Sequence, residues 1–251
     1  MAVKKAETEI YVPPLHRGVI KLRIIGQTPM FQNRMAAKAK RQLLVGGRKK
    51  TAADKANIKH SPLDEYRDSM EMFPGGEPTA LGLRVVAVKA AMCTAALETA
   101  GITKTSAQRL LFMPGDLAPL YGVPQLRMDV VRSADINRTP DVRTRAFIPR
   151  WGAEVEVHHI LPQLPVSSVV ALAANAGVLV GVGDFRQEKG KGSFGSFRVI
   201  TADQQDDEWD DLVANHGAAA QRRAIDEPEF ADADTEELMD YFHEEFSRRA
   251  A

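Results

Sequence analysis

Glycines, cations and aromatic rings are interleaved between Gly177 and Val199, in the run G-V-L-V-G-V-G-D-F-R-Q-E-K-G-K-G-S-F-G-S-F-R-V. Phe185, Arg186, Lys189, Lys191, Phe194, Phe197 and Arg198 are threaded between Gly190, Gly192 and Gly195. That mixture suits a nucleic-acid backbone. Glycine lets the main chain approach phosphate, cations supply counter-charge, and rings offer stacking faces to bases. The same residues also fit a Gly-rich hairpin with its phenylalanines turned into the core. A Walker A loop is excluded, because Gly190-Lys191 is followed by Gly192 where Ser or Thr must bind magnesium. Gly181-Val182-Gly183 is no dinucleotide fingerprint either, since it follows a helical pattern and precedes a polar loop.

Two other segments carry related chemistry. Between Phe31 and His60, Arg34, Lys38, Lys40, Arg41, Arg48, Lys49, Lys50, Lys55 and Lys59 are opposed only by Asp54. Cations so poorly compensated repel one another unless a polyanion is near, so this basic insertion is expected to contact nucleic acid. Further on, Arg127, Arg132, Arg138, Arg143, Arg145 and Arg150 recur without a single lysine. Arginine carries a planar fork that engages phosphate bidentately and stacks on bases. The competing role is a set of exposed strand arginines paired with Asp129, Asp135 and Asp141.

Catalytic signals are thin. The histidines, His16, His60, His158, His159, His216 and His243, have neither zinc-site nor H-E-x-x-H spacing. Metal-dependent nuclease chemistry needs carboxylates converging on magnesium, and Asp135, Asp141 and Asp184 are scattered candidates, each also explained as a turn or ion-pair residue. No cofactor or metal site is expected. The one cysteine, Cys93, lies in an apolar run and fits a reducing, cytoplasmic setting. No membrane span or targeting segment is expected.

Net charge is zero, with 33 basic and 33 acidic side chains, but the two signs are segregated. Positions 1–200 carry a balance of +12 and positions 201–251 a balance of −12. A basic body implies a polyanion partner.

The elements that must position these residues follow from periodicity. Residues 1–16 read as an irregular arm, and Val19 to Ile25 as a strand alternating with Lys21 and Arg23. Met35 to Leu44 reads as a short helix inside the insertion, 31–60. A helix starting at Ser61-Pro62 is expected to run toward Pro74-Gly75-Gly76, and another to span Val85 to Leu97. Arg109–Met113 and Gln125–Arg132 read as strands joined by a Pro/Gly-rich connection containing Tyr121, and Ser133–Val142 as a polar turn. Phe147, Trp151, Val155 and Val157 continue strand-like, with His158 and His159 facing opposite ways. A helix from Pro165 ends at Gly177, and Phe197–Ile200 is the last strand. Residues 201–251 form an acidic tail, partly helical, with Trp209, Leu212, Leu238, Tyr241, Phe242 and Phe246 along an apolar edge. The expected architecture is α+β, an antiparallel sheet with helices on one face.

Taken together, the strand ending in I-I-G-Q-T-P-M-F-Q-N-R, the helix before Gly101, the strands around R-T-R-A-F-I-P-R-W and the helix leading to G-V-G-D-F-R…G-S-F-G-S-F-R-V resemble the RAMP superfamily. More narrowly they resemble phage- and prophage-type relatives of the backbone subunit of class 1 CRISPR effector complexes. The resemblance spans residues 17–200. It implies a ferredoxin-like or RRM-like core that binds single-stranded DNA or RNA and stacks subunits along it. It also implies a finger-like role for Arg34 to Lys59 and a thumb-like role for 133–142, where Asp135 is the position at which some members cleave RNA. The bacterial host cell would be the setting if the chain is phage-encoded. The acidic tail departs from that family and resembles those of single-stranded DNA-binding proteins. Such a tail recruits a replication, recombination or effector partner and competes with DNA for the groove.

The leading expectation is a non-enzymatic protein coating single-stranded nucleic acid as an oligomer or filament. Its groove would be lined by Arg34, Lys38, Lys40, Arg41, Arg48, Lys49, Lys50, Arg132, Arg138, Arg143, Arg145, Arg150, Phe185, Arg186, Lys189, Lys191, Phe194 and Arg198. The alternatives are a metal-dependent endoribonuclease using Asp135 and a structural assembly subunit without nucleic acid.

Overall fold

Ile20, Leu22 and Ile24 alternate with Arg17, Val19, Lys21 and Arg23, and this period of two gives the central strand β1 (His16–Gly26) one apolar face. In the computed structural model, which describes residues 12–36, 40, 44, 60–132, 139–189 and 192–250, this strand organises a large antiparallel sheet. β8 (Gly152–Leu161) pairs with it from end to end, His16 opposite Leu161 and Ile25 opposite Gly152. β9 (Phe197–Thr201) takes its other edge. On the far edge of β8 lie β4 (Leu111–Phe112) and β5 (Leu117–Tyr121), with β3 (Gly82–Arg84) beyond β5. Two helices, α2 (Val85–Ala95) and α4 (Val166–Leu179), pack together over the apolar face, where Val88, Met92, Val169 and Leu172 join Leu22, Ile24, Val155 and Val157 in the main core.

A second antiparallel sheet is built from β2 (Met30–Gln32), β7 (Pro140–Ile148) and β6 (Gln125–Arg132), in the order β2-β7-β6. The chain is thus α+β, with two sheets where one was expected. Local boundaries also differ. Thr103 accepts a hydrogen bond from the Ser106 amide at 3.1 Å and caps a helix, α3 (Lys104–Leu110), so Arg109 is helical and only Leu111–Phe112 are strand. The connection containing Tyr121 is itself strand β5, and α4 runs two residues past Gly177. The helix after Ser61, α1 (Pro62–Asp68), stops well short of Pro74.

The acidic segment is docked on the body. α5 (Asp207–Asn215) lays Trp209 and Leu212 on Ile25 and Tyr121, closing a second small core on the outer face of the large sheet. Arg198 holds Asp206 with both terminal nitrogens, at 2.7 and 2.9 Å, and reaches Glu208 at 2.9 Å, while Arg150 pairs with Asp211 at 2.9 Å. From α6 (Ala218–Asp226), the fully buried Gln221 accepts from the Ala80 and Leu81 amides and donates to the Leu120, Gly122 and His216 carbonyls. α7 (Ala233–Ala250) lies beside β6, where the Thr235 hydroxyl accepts from the Met128 amide. Removing residues 203–251 would therefore uncover Ile25 and strand the amides that Gln221 satisfies, so the segment's charge is best probed by point substitution.

Hydrogen bonds from Arg198, together with its positive charge, hold the Asp206 carboxyl at about 2. A carboxylate whose pKa is depressed on folding contributes stability that is complete above its unfolded value, near 3.9, and is lost as pH falls through the folded one. Acid release of α5 is therefore expected between about pH 4 and pH 2, read as a change in tryptophan fluorescence as Trp209 leaves its pocket. Arg198→Gln should move that transition to higher pH; an unmoved transition would show that this pair does not hold the helix.

Candidate nucleic-acid interface

Strand alternation places Arg143, Arg145 and Phe147 of β7 on one face of the small sheet, beside Arg127 and Asp129 of β6. Phe31 of β2 pairs directly with Phe147, their ring centroids 5.2 Å apart. The Gly-rich segment folds over this face: Asp184 bridges to Phe31, and Phe194 sits edge-on to Phe31 at 4.8 Å. Phe185 leans on Phe194 at 5.9 Å and keeps 43% of its surface exposed.

Arg145 ties the arrangement together. Its side chain is 5% exposed, with Nη1 donating to Asp184 at 2.9 Å and Nη2 to Asp129 at 2.7 Å. Its guanidinium carbon lies 4.2 Å from the Phe31 ring centroid, and Arg127 lies over both Phe31 and Phe147. Burial opposes ionisation of Asp184, but hydrogen bonds from Asn33, the Phe185 amide and Arg145 outweigh it and keep the carboxyl below its ordinary range. Asn33 directly precedes Arg34, the first cation of the basic run in the sequence, so a single carboxylate joins the start of that run, the arginine strand and the Gly-rich segment.

The glycines act inside this assembly. A Cβ on Gly192 would lie 1.5 Å from the Phe185 carbonyl oxygen, and one on Gly195, at φ +74°, 1.7 Å from that of Val182. The two arms of the loop approach each other too closely for any side chain, so here glycine permits self-packing, where the sequence suggested approach to phosphate.

The structure separates the expected contact residues into groups. Phe185, Phe194, Arg143 and Arg145 come together, Arg143 exposed and Arg145 enclosed. Arg132 is exposed at the end of β6. Arg34 and Arg186 meet at a neighbouring cleft of about 360 Å³ between β2, α2 and the Gly-rich segment. There Arg34 and Arg84 share Glu71, and Arg186 is held by Glu188. Arg150 and Arg198 instead fasten α5. Lys40 is itself exposed and helical, its amide bonded to the Ala36 carbonyl, and Lys189 ends a 3-10 turn. Lys38, Arg41, Arg48, Lys49, Lys50, Asp135, Arg138 and Lys191 lie outside the described residues, as does most of the helix expected over Met35 to Leu44.

Phe31 and Phe147 were not singled out as contact residues from sequence, and Arg127 was named among the recurring arginines but not placed in the groove; the signal available was the alternation of Arg145 with Phe147, whose meaning depends on strand register. His158 and His159 do face opposite ways. His159 is fully buried, with Nδ1 2.6 Å from the Leu164 carbonyl, and His158 bonds Glu156 on the outer face. Among the described residues no group of three or more His, Cys, Asp or Glu is placed to hold a metal, and no helix is long and apolar enough to cross a membrane. The chain matches no protein-family model, and no curated protein matches it.

Proposed function

We propose that this chain binds single-stranded nucleic acid without base specificity, along the outer face of the small sheet and the Gly-rich segment folded over it. One observation carries the reading: the Arg145–Asp184–Asn33 network gathers the arginine strand, the phenylalanine loop and the start of the basic run onto one surface. Exposed Phe185 would stack a base, with Phe194 behind it, and exposed Arg143 would meet a phosphate. Enclosed Arg145 is a positioning residue.

The finer architectural reading belongs to the same proposal. The order β9-β1-β8 with β4 and β5 beyond, and with α2 and α4 crossing one face, fits a ferredoxin-like βαββαβ core to which the small sheet is added. That order supports kinship with RAMP-type nucleic-acid binders, and assembly along the strand would then appear as cooperative binding to long oligonucleotides.

Fluorescence anisotropy with 15-mers of oligo-dT and oligo-U tests the function. The logarithm of the affinity should fall linearly with log salt, at a slope of about −0.7 per phosphate neutralised. Phe185→Ala should weaken binding about ten-fold, the scale of one lost base stack, and leave the slope unchanged. Absence of binding to both strands at low salt would remove the proposal.

A further inference from the structure

The outer face of the large sheet is divided along β1. Toward the strand's C-terminal end, Arg23 and Ile25 lie beneath α5, with the Arg23 guanidinium 5.1 Å from the Trp209 ring. Toward its N-terminal end no element among the described residues covers the face, and Arg17, Val19 and Lys21 point outward opposite Ile160, His158 and Glu156 of β8. Phe112 of β4, also opposite His158, completes this patch. Its ring meets His158 edge-on at 5.7 Å and carries the Arg17 guanidinium at 5.7 Å. Phe112 is 51% exposed and Val19 54%.

An exposed ring on a flat sheet, flanked by two outward cations, is a stacking platform. Its acids are engaged within the protein: Glu156 bonds His158 at 2.6 Å, and Glu154 holds Arg23 at 3.3 Å with Lys21 more distant at 3.9 Å. Arg17 is left with its guanidinium over the ring. Charge and the ring decide what can dock here: two outward cations beside an exposed aromatic face suit a phosphate-linked base, which needs one ring to stack on and a counter-charge for its phosphate.

The geometry points to a second contact site for single-stranded nucleic acid on this open face, with a base stacked on Phe112 and phosphates met by Arg17 and Lys21. The inference rests on the nucleic-acid reading above but uses a different sheet and different residues. Phe112 and Arg17 are exposed, so their replacement leaves both cores intact.

Anisotropy with a 30-mer oligo-dT should show at least about five-fold weaker binding for Phe112→Leu, which keeps apolar bulk without a π face. Arg17→Gln and Lys21→Gln should each flatten the salt slope by about 0.7. Photocrosslinking to a bromouracil-substituted 30-mer should label Phe112 itself, within the tryptic peptide Leu110–Arg127, in the wild type and in Phe185→Ala alike. If the wild type binds but Phe112→Leu and Arg17→Gln bind as tightly, with unchanged slopes and no label at Phe112, the second site does not exist. If the wild type itself binds no strand, the nucleic-acid reading fails and this site with it.

Discussion

Replacing Arg145 by methionine is expected to lower the unfolding free energy by about 2–3 kcal/mol, because one change takes the shared cation from two carboxylates, leaving Asp129 to Arg127 and Asp184 to Asn33, and unstacks a ring. Removing one partner of an enclosed ion pair typically costs about 3–5 kcal/mol. The smaller figure applies because Asp129 and Asp184 keep 25% and 38% of their side-chain surface and can recruit water. Arg145→Lys should recover less than half of the loss, since an ammonium lacks the planar fork that reaches both acids while lying on Phe31. Arg145→Met combined with Asp184→Asn should be more stable than Arg145→Met alone, having one stranded charge fewer. Urea unfolding of the four proteins checks the set. A loss below about 1 kcal/mol in Arg145→Met would mean that Asp129 and Asp184 are solvated well enough without it. Oligonucleotide affinity should fall in step with stability across the series, as befits a residue that holds the surface together from beneath.

Gly195→Ala is expected to be comparably severe, for steric reasons alone. Its φ of +74° costs an L-residue about 1 kcal/mol, and a Cβ 1.7 Å from the Val182 oxygen must push the two arms of the loop apart, adding about 1–3 kcal/mol. Gly101→Ala separates the two contributions. Its φ is +86°, but nothing lies within 4 Å of the added carbon, so only the conformational cost of about 1 kcal/mol should appear. Equal melting temperatures for the two variants would mean that the loop opens without cost. The distinction also bears on function: a spread loop moves Phe185, so Gly195→Ala should lose oligonucleotide affinity while Gly101→Ala keeps it.

Much of the large sheet and its helices could be read from sequence. β1, α2, α4 and β9 have strict periodicity and sharp punctuation, and their residue ranges come close to expectation. The small sheet was legible in part. β6 has the range expected for it, Gln125–Arg132, but β2 is three residues long, too short to display a period, and Arg145 of β7 carries its charge where it faces Asp129 and Asp184 and not water. β4 was drawn too long because the helix capped at Thr103 outweighs a weak strand pattern, and β5 was missed because the prolines around Tyr121 read as a connection although Leu117–Tyr121 pair as a strand. For the interface, residue types could be read but partners could not. Arg145 and Asp184 are 39 positions apart, and nothing in composition distinguishes an arginine facing phosphate from one already facing aspartate. The glycines were legible as a demand for space; what fills that space, the loop's own carbonyls, required coordinates.

The docking of the acidic helices has a consequence for encounter. Arg198 with Asp206 and Glu208, and Arg150 with Asp211, set body cations against acids of the C-terminal segment in close contact on the flank where α5 docks. Fields from opposite charges about 3 Å apart cancel beyond a Debye length, about 8 Å at physiological ionic strength. Those pairs add little to the distant field, so a strand is not drawn to that flank from afar but meets it by short-range collision. Selectivity on that side is exercised after contact, in how long a strand stays.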